Sequence, residues 1–332
     1  MRSALLALAL VLSCGVALIG QRGAAKPDWS PPRLPDGQYD FEGVWDFSTI
    51  TPLERPSSLA NKQTLTDEEA AVFEREENQR QNRDLIDAKK GGLQYLPGSV
   101  IPYNEFWYER GNKIIGDKRT SLIVDPPDGR IPPLTPEAQK RLDAQAAIAR
   151  DEQLGVVRAD SYLDRSLADR CILGFNAGPP MTPGAYNNHV QISQAPGYVT
   201  LVVGMVLGAR VIPVDGRPRL PSGIAQYKGD SRGRWDGRTL TIETTNFLRE
   251  TAFRGSSANM RLVERLTRVD ADTLLYEFTV SDPKTWTKPW TAVVPMKKVN
   301  TPIYEYACHE GNYALPNILR GARLQEAKER GR

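Results

Sequence analysis

The stretch from Gly233 to Cys308 constrains the fold most, because period-2 alternation runs through it in segments separated by turn residues. Thr239 to Thr245 sets Leu240 and Ile242 against Thr241, Glu243 and Thr245. Thr273 to Val280 sets Leu274, Tyr276, Phe278 and Val280 against Leu275, Glu277 and Thr279. Successive side chains of a strand point to opposite faces, so each segment reads as a strand with two unlike faces. The Asp236-Gly237 pair tolerates the positive φ of a tight hairpin, and Asp270 to Asp272 makes a second reversal. Strands joined this briefly pair with their sequence neighbours, which predicts an antiparallel meander.

The meander extends upstream. Val190 to Gln194, Val199 to Leu207 and Arg210 to Val214 are apolar and β-branched, with turns at Pro196-Gly197 and Asp215-Gly216, and Ile303 to Cys308 reads as the last strand. The expected fold is mainly β, a barrel or strongly curved antiparallel sheet running from Gly43-Val44-Trp45 and Val190 to Cys308, decorated by peripheral helices. Closure would remove exposed edges. The helices begin at recognisable signals. Thr66 with Glu69 makes a capping box before a helix to about Lys90, and Thr135 before Pro136 opens another to about Arg150. A shorter helix is expected from about Ser161 to Arg170 and a basic C-terminal one from about Leu315. Arg119 to Val124 is a further strand. The crowded aromatics Phe106, Trp107 and Tyr108 are expected to plug a core, the alternative being that Trp107 or Tyr108 stacks on a flat ligand.

The chain of 332 residues, 40% hydrophobic, can bury a core as one large domain or two smaller ones. Four parts are expected: a signal peptide over residues 1–25; an arm, first strands and helices over 26–170; the meander over 171–313; and a C-terminal helix over 314–332. Arg2, the apolar run from Ala4 to Ile19 and the small residues Gly23-Ala24-Ala25 form the signal, so the mature protein is expected to be periplasmic or secreted. Val11-Leu12-Ser13-Cys14-Gly15 offers an alternative, a lipoprotein signal that would anchor the protein to a membrane through Cys14. Basic and acidic residues are nearly balanced, 43 against 40, which gives no surface for nucleic acid.

Without the signal, Cys171 and Cys308 remain as an even pair in an oxidising compartment, so a disulfide between them is expected, with two separate thiols as the alternative. No metal and no cofactor is expected. The chain has two histidines, His189 and His309, and lacks His-Glu-x-x-His, paired Cys-x-x-Cys, a phosphate loop, a dinucleotide glycine fingerprint and a Gly-x-Ser-x-Gly elbow.

The runs RTSLIVDPPDGRIPPLTPE, GRWDGRTLTIETTNF, TRVDADTLLYEFTVSDP and YEYACHEGNYAL resemble those of a family of exported bacterial proteins of no established function. That resemblance implies export and carries over no catalytic or binding residue. Gly43-Val44-Trp45 separately resembles the opening strand of lipocalin-like (calycin) barrels, which implies a Trp packed across the closed end of a barrel.

Two functional classes follow. In the first, the barrel binds a small apolar or aromatic molecule, with Trp235, Tyr276, Phe278 and Trp290 as walls and His189 at the polar start of a strand beside the mouth. In the second, a metal-free lyase, isomerase or hydrolase works at the mouth. There His309 is the acid or base, Glu310 its partner (with Glu305 and Glu264 as alternatives), Tyr306 or Tyr313 a proton donor, and Arg265 the holder of an anionic group. The competing role for His309 and Asn312 is to satisfy backbone groups in a tight turn. The Thr, Glu and Arg face of the meander is either a solvated outer wall or a polar lumen.

Overall fold

The computed structural model describes residues 29–85, 104–153, 159–174, 176–251 and 253–331; the signal segment, Cys14 and the loop Gly91 to Gly98 lie outside them. Among the described residues the strands are β1 (Gly43–Asp46), β2 (Ile123–Asp125), β3 (His189–Ala195), β4 (Tyr198–Val203), β5 (Gly208–Pro213), β6 (Asp230–Asp236), β7 (Thr239–Thr245), β8 (Arg261–Arg268), β9 (Thr273–Ser281) and β10 (Trp290–Val299). The helices are α1 (Asp67–Gln81), α2 (Pro136–Gln153) and α3 (Ala314–Arg330).

The strands form one antiparallel, nearly closed barrel-shaped sheet in the order β5-β4-β3-β1-β10-β9-β8-β7-β6, with β2 added beside β10. Sequence neighbours pair in two runs, β3 to β5 and β6 to β10, with the longer connection 246–260 between β7 and β8. What joins the runs is β1, whose Trp45 lies opposite both Val190 of β3 and Lys298 of β10. Every one of the eight pairings along this path is antiparallel. An even number of reversals leaves the edge strands β5 and β6 running the same way. No ladder joins them among the described residues.

The interior is packed with side chains. Leu240 and Ile242 of β7, Leu262 and Leu266 of β8, Tyr276 and Phe278 of β9, and Trp290 and Val294 of β10 are all fully buried in one cluster with Trp45. The Thr and Glu face lies outside, where Thr239 and Thr267 hydroxyls meet at 2.7 Å and Thr279 and Thr291 at 2.8 Å across the strands. Trp45 is fully buried: its Nε1 donates to the Phe41 carbonyl at 2.9 Å, and the Arg268 guanidinium lies 5.5 Å from its ring.

The helices start as their caps dictate. Thr66 Oγ1 accepts from the Glu69 N–H at 3.2 Å while Glu69 Oε2 accepts from the Thr66 N–H at 2.9 Å, completing the capping box. Ala70 is the one buried residue of α1, so the helix is largely solvated, and it stops at Gln81 instead of reaching Lys90. Thr135 Oγ1 caps α2 through the Ala138 N–H at 3.1 Å.

Three expectations fail. The segment from Ser161 to Arg170 is a single 3-10 turn, Tyr162–Asp164, because Ser161 caps it and Asp164 folds straight back onto the Ser161 N–H at 2.8 Å. Ile303 to Cys308 is not a strand: the ladder of β10 ends at Val299, and the segment that follows pairs with none of the described strands. Phe106 and Trp107 are not core plugs but exposed, at 84% and 63%, stacked edge to face on each other at 5.3 Å.

Cys171 and Cys308 are joined, with 2.05 Å between the sulfurs and 5.5 Å between Cα atoms. The bridge ties two irregular segments outside the ladders and encloses 137 residues of sequence separation, spanning β3 to β10. Among the described residues no helix is long and apolar enough to cross a membrane. Unreduced protein is expected to have a mass two hydrogens below the dithiol form. The Cys171→Ser, Cys308→Ser double variant is expected to lose about 2–5 kcal/mol of stability by chemical denaturation, as release of a long loop implies.

Candidate functional site

The seam between β5 and β6 is closed by side chains. Arg210 on β5 points inward with Ile212 and crosses the gap, donating to Ser231 Oγ of β6 at 3.1 Å and Thr244 Oγ1 of β7 at 3.2 Å. Its guanidinium then meets Glu264 of β8 two-pronged, Nη1 to Oε1 at 2.9 Å and Nη2 to Oε2 at 2.6 Å. Tyr276 of β9 donates its hydroxyl to Glu264 Oε1 at 2.7 Å and accepts from the Met181 N–H at 3.1 Å. Burial first, then the Glu264 charge, pushes the Tyr276 phenol well above its ordinary pKa, so it stays a donor. Burial works to lower the Arg210 pKa, but the charge and hydrogen bonds of Glu264 outweigh it and the net direction is up. Beside this network Gly233 of β6 brings its backbone against the seam: a Cβ there would fall 2.7 Å from Val214 Cγ1.

Outside the network lies a cleft of about 920 Å³ between β5 and the connection from β5 to β6. That connection is fastened to the β6–β7 side: Asp230 Oδ2 accepts from the Leu220 N–H at 3.0 Å, and Arg232 Nη2 donates to the Pro218 carbonyl at 2.9 Å. Asn246 Nδ2 donates to the Pro221 carbonyl at 3.0 Å. The apolar wall comes from Ile172, Val211, Pro213, Leu220, Ala225 and Leu248.

Four cations reach the same cleft, and three have carboxylate partners. Arg210 holds Glu264, Arg217 holds Asp215 at 2.5 Å, and Arg232 holds Asp230. Lys228 is different. Half-buried, it has no hydrogen-bond or ion-pair partner among the described residues. Its side chain lies directly on Gly208 of β5, where a Cβ would fall 1.7 Å from Nζ. Gly208 has an ordinary φ of −103°, so the lysine lies where a side chain would otherwise stand, and any larger residue there would displace it. Burial, reinforced by the Arg210 charge, lowers the Lys228 pKa to about 8.

A second cavity, about 340 Å³, lies where α1 meets the segment after β1 and takes in Thr49, Thr51, Glu77, Arg83 and Arg110. Glu77 and Arg110 there are already paired, with Arg80 and Glu105.

The residues singled out from sequence sit elsewhere. His309 and Glu310 are exposed in the turn after the disulfide, where the Glu310 N–H donates to the Ala307 carbonyl at 3.1 Å. Asn312 Nδ2 donates to the Asp169 carbonyl at 2.9 Å. Tyr306 stacks on Tyr186, ring centres 6.5 Å apart. Arg265 faces outward on β8, 3.8 Å from both Asp236 and Glu277. None of His309, Glu310, Tyr306 and Arg265 lines either cavity. Glu264, suggested as a partner of His309, belongs to Arg210.

Tyr276, Phe278 and Trp290 are fully buried and touch one another, with 5.5 Å between the rings of Tyr276 and Phe278 and 5.8 Å between those of Phe278 and Trp290. Trp235 packs on Phe41 at 5.2 Å. His189 is half-buried at the start of β3, its carbonyl accepting from the Gly204 N–H at 3.3 Å. Sequence reasoning missed Arg210 and Lys228. Arg210 carried a signal, since it shares its face with Ile212, whereas Lys228 sits in an irregular connection that has no periodicity to read.

No known protein family, curated protein or solved structure matches the chain.

Replacing Arg210 by Met strands the Glu264 carboxylate in the core, and a loss of about 3–5 kcal/mol is expected in urea denaturation. The double variant Arg210→Met, Glu264→Leu is expected to recover part of it. Ser231 and Thr244 remain paired with each other at 2.9 Å, but the Tyr276 hydroxyl loses its acceptor.

Proposed function

We propose that this protein is an exported small-molecule carrier that binds a largely apolar ligand through an anionic or acceptor-bearing head group. The ligand lies in the seam cleft, with its body on the Ile172, Val211 and Leu248 wall and its head at Lys228. The observation that carries this reading is an ammonium with no partner among the described residues, in a half-apolar cleft of about 920 Å³, a size and composition ordinary for ligand sites. An ammonium in such surroundings is stabilised by a ligand acceptor, since the other cations of the cleft are already engaged. Export is supported by the Cys171 to Cys308 disulfide, which persists in oxidising compartments.

Anilinonaphthalene sulfonate, an apolar anion, is the probe. Saturable fluorescence enhancement is expected, with Lys228→Met weakening it about 10- to 100-fold, the range for one charge-assisted hydrogen bond. The wild-type affinity is constant below pH about 8, where Lys228 is charged, and falls as pH rises above it, while the Met variant lacks that fall. Absence of saturable binding, or equal binding by the variant, rejects the proposal.

A further inference from the structure

We propose that Lys228 is a covalent anchor, whose amine condenses with the carbonyl carbon of an aldehyde or ketone ligand in the seam cleft to form an imine. This rests on the reading of that cleft as the ligand site, and it names the chemical class of the head group.

Three features of the geometry combine here. Lys228 is the only lysine lining the cleft, and its Nζ has no acceptor among the described residues. An amine that forms ion pairs or donates hydrogen bonds to carboxylates is held protonated and is no nucleophile, so the lack of a partner matters. Second, Nζ rests on Gly208, which leaves the amine lodged between β5 and the connection above it instead of extended into solvent. Third, the groups that face it favour the neutral form. Arg210 on β5 contributes positive charge, and the carboxylates that could oppose this are occupied: Glu264 by Arg210, Asp230 by Arg232 and the Leu220 N–H, Asp215 by Arg217. At neutral pH the lowered Lys228 pKa gives roughly two orders of magnitude more free amine than an ordinary lysine has.

The reaction balances without oxidant or reductant. The nitrogen lone pair attacks the carbonyl carbon, the C–N bond forms and a carbinolamine results. The former carbonyl oxygen then leaves as water with the two hydrogens of the amine, and solvent carries the protons. The apolar wall would hold the remainder of the carbonyl compound while this occurs.

The test uses the full disulfide-bonded chain with naphthaldehyde as probe and cyanoborohydride to reduce any imine formed, followed by peptide mapping. The expected result is a single adduct at Lys228, equal in mass to the aldehyde less one oxygen, formed at least tenfold faster than at any other lysine. Its yield rises with pH up to about 8, opposite to the trend for the sulfonate probe. Gly208→Ala, which drives the ammonium out of its seat, is expected to abolish the selectivity. A second measurement separates the two readings. If naphthaldehyde displaces anilinonaphthalene sulfonate yet Lys228 is labelled no faster than surface lysines, the imine is overturned and the cleft reading stands. If neither displacement nor selective labelling occurs, both are overturned.

Discussion

Eight antiparallel pairings in succession return the last strand of a sheet to the direction of the first, and that parity decides how this barrel can close. All eight pairings along the path are antiparallel, so closure between β5 and β6 would need a same-direction pairing at that seam. No ladder forms there among the described residues, and the edges are held by side chains instead. Arg210 reaches across from one edge to Ser231 on the other and onward to Glu264, two strands further round. Taking both charges out of water is costly, and two-pronged pairing with further hydrogen bonds from Tyr276 and to Thr244 offsets that cost. A core of apolar residues alone would pack as well, but it would not tell one register of the edges from another. A guanidinium with four fixed acceptors does.

The unpaired edge also makes room. A strand edge without a ladder presents backbone groups that attract other strands, and proteins commonly cover such edges with a loop. Here the connection between β5 and β6 does so, fastened to the β6–β7 side by Asp230, Arg232 and Asn246 while it stands away from β5. The cleft is the space left between. Its far wall includes Ile172, the residue after a disulfide cysteine, so the bridge that holds the C-terminal segment to residues 168–171 also fixes one side of the cleft. Closure, covering and cavity are one construction.

Much of this was legible from sequence because the strands carry one face to water and one to the core. The period-2 pattern of Leu240 and Ile242, or of Leu274 through Val280, fixes which side chains go inward, and the hairpin turns fix which strands meet. Glu264, which the sequence suggested only as a partner of His309, lies inward between Leu262 and Leu266, and its partner 54 residues away could not be read from the chain. Where periodicity stops, inference stopped too. Ile303 to Cys308 has the composition of a strand, yet it pairs with none of the described strands and stays irregular. Phe106 and Trp107 have the composition of a core plug and lie on the surface. Lys228, in a connection without repeat or cap, gains its character from burial against Gly208 and from the Arg210 charge, which reach it through the fold and not along the chain.

The chemistry of Lys228 therefore depends on the closure of the barrel. Glu264 binds Arg210 through both oxygens, which cancels most of the guanidinium charge at a distance but leaves its near field beside the cleft. Neutralise Glu264 and the full charge would press the amine further toward its neutral form, while loosening the seam that supports Gly208. Remove Arg210 and the smaller of the two causes that lower the Lys228 pKa goes, burial being the larger, while an uncompensated carboxylate is left in the core. Either change alters the fold and the amine together. A side chain that closes the sheet thus adds to the burial that lowers the Lys228 pKa, and a ligand meeting that amine would be coupled through Arg210 to the seam where no ladder forms among the described residues.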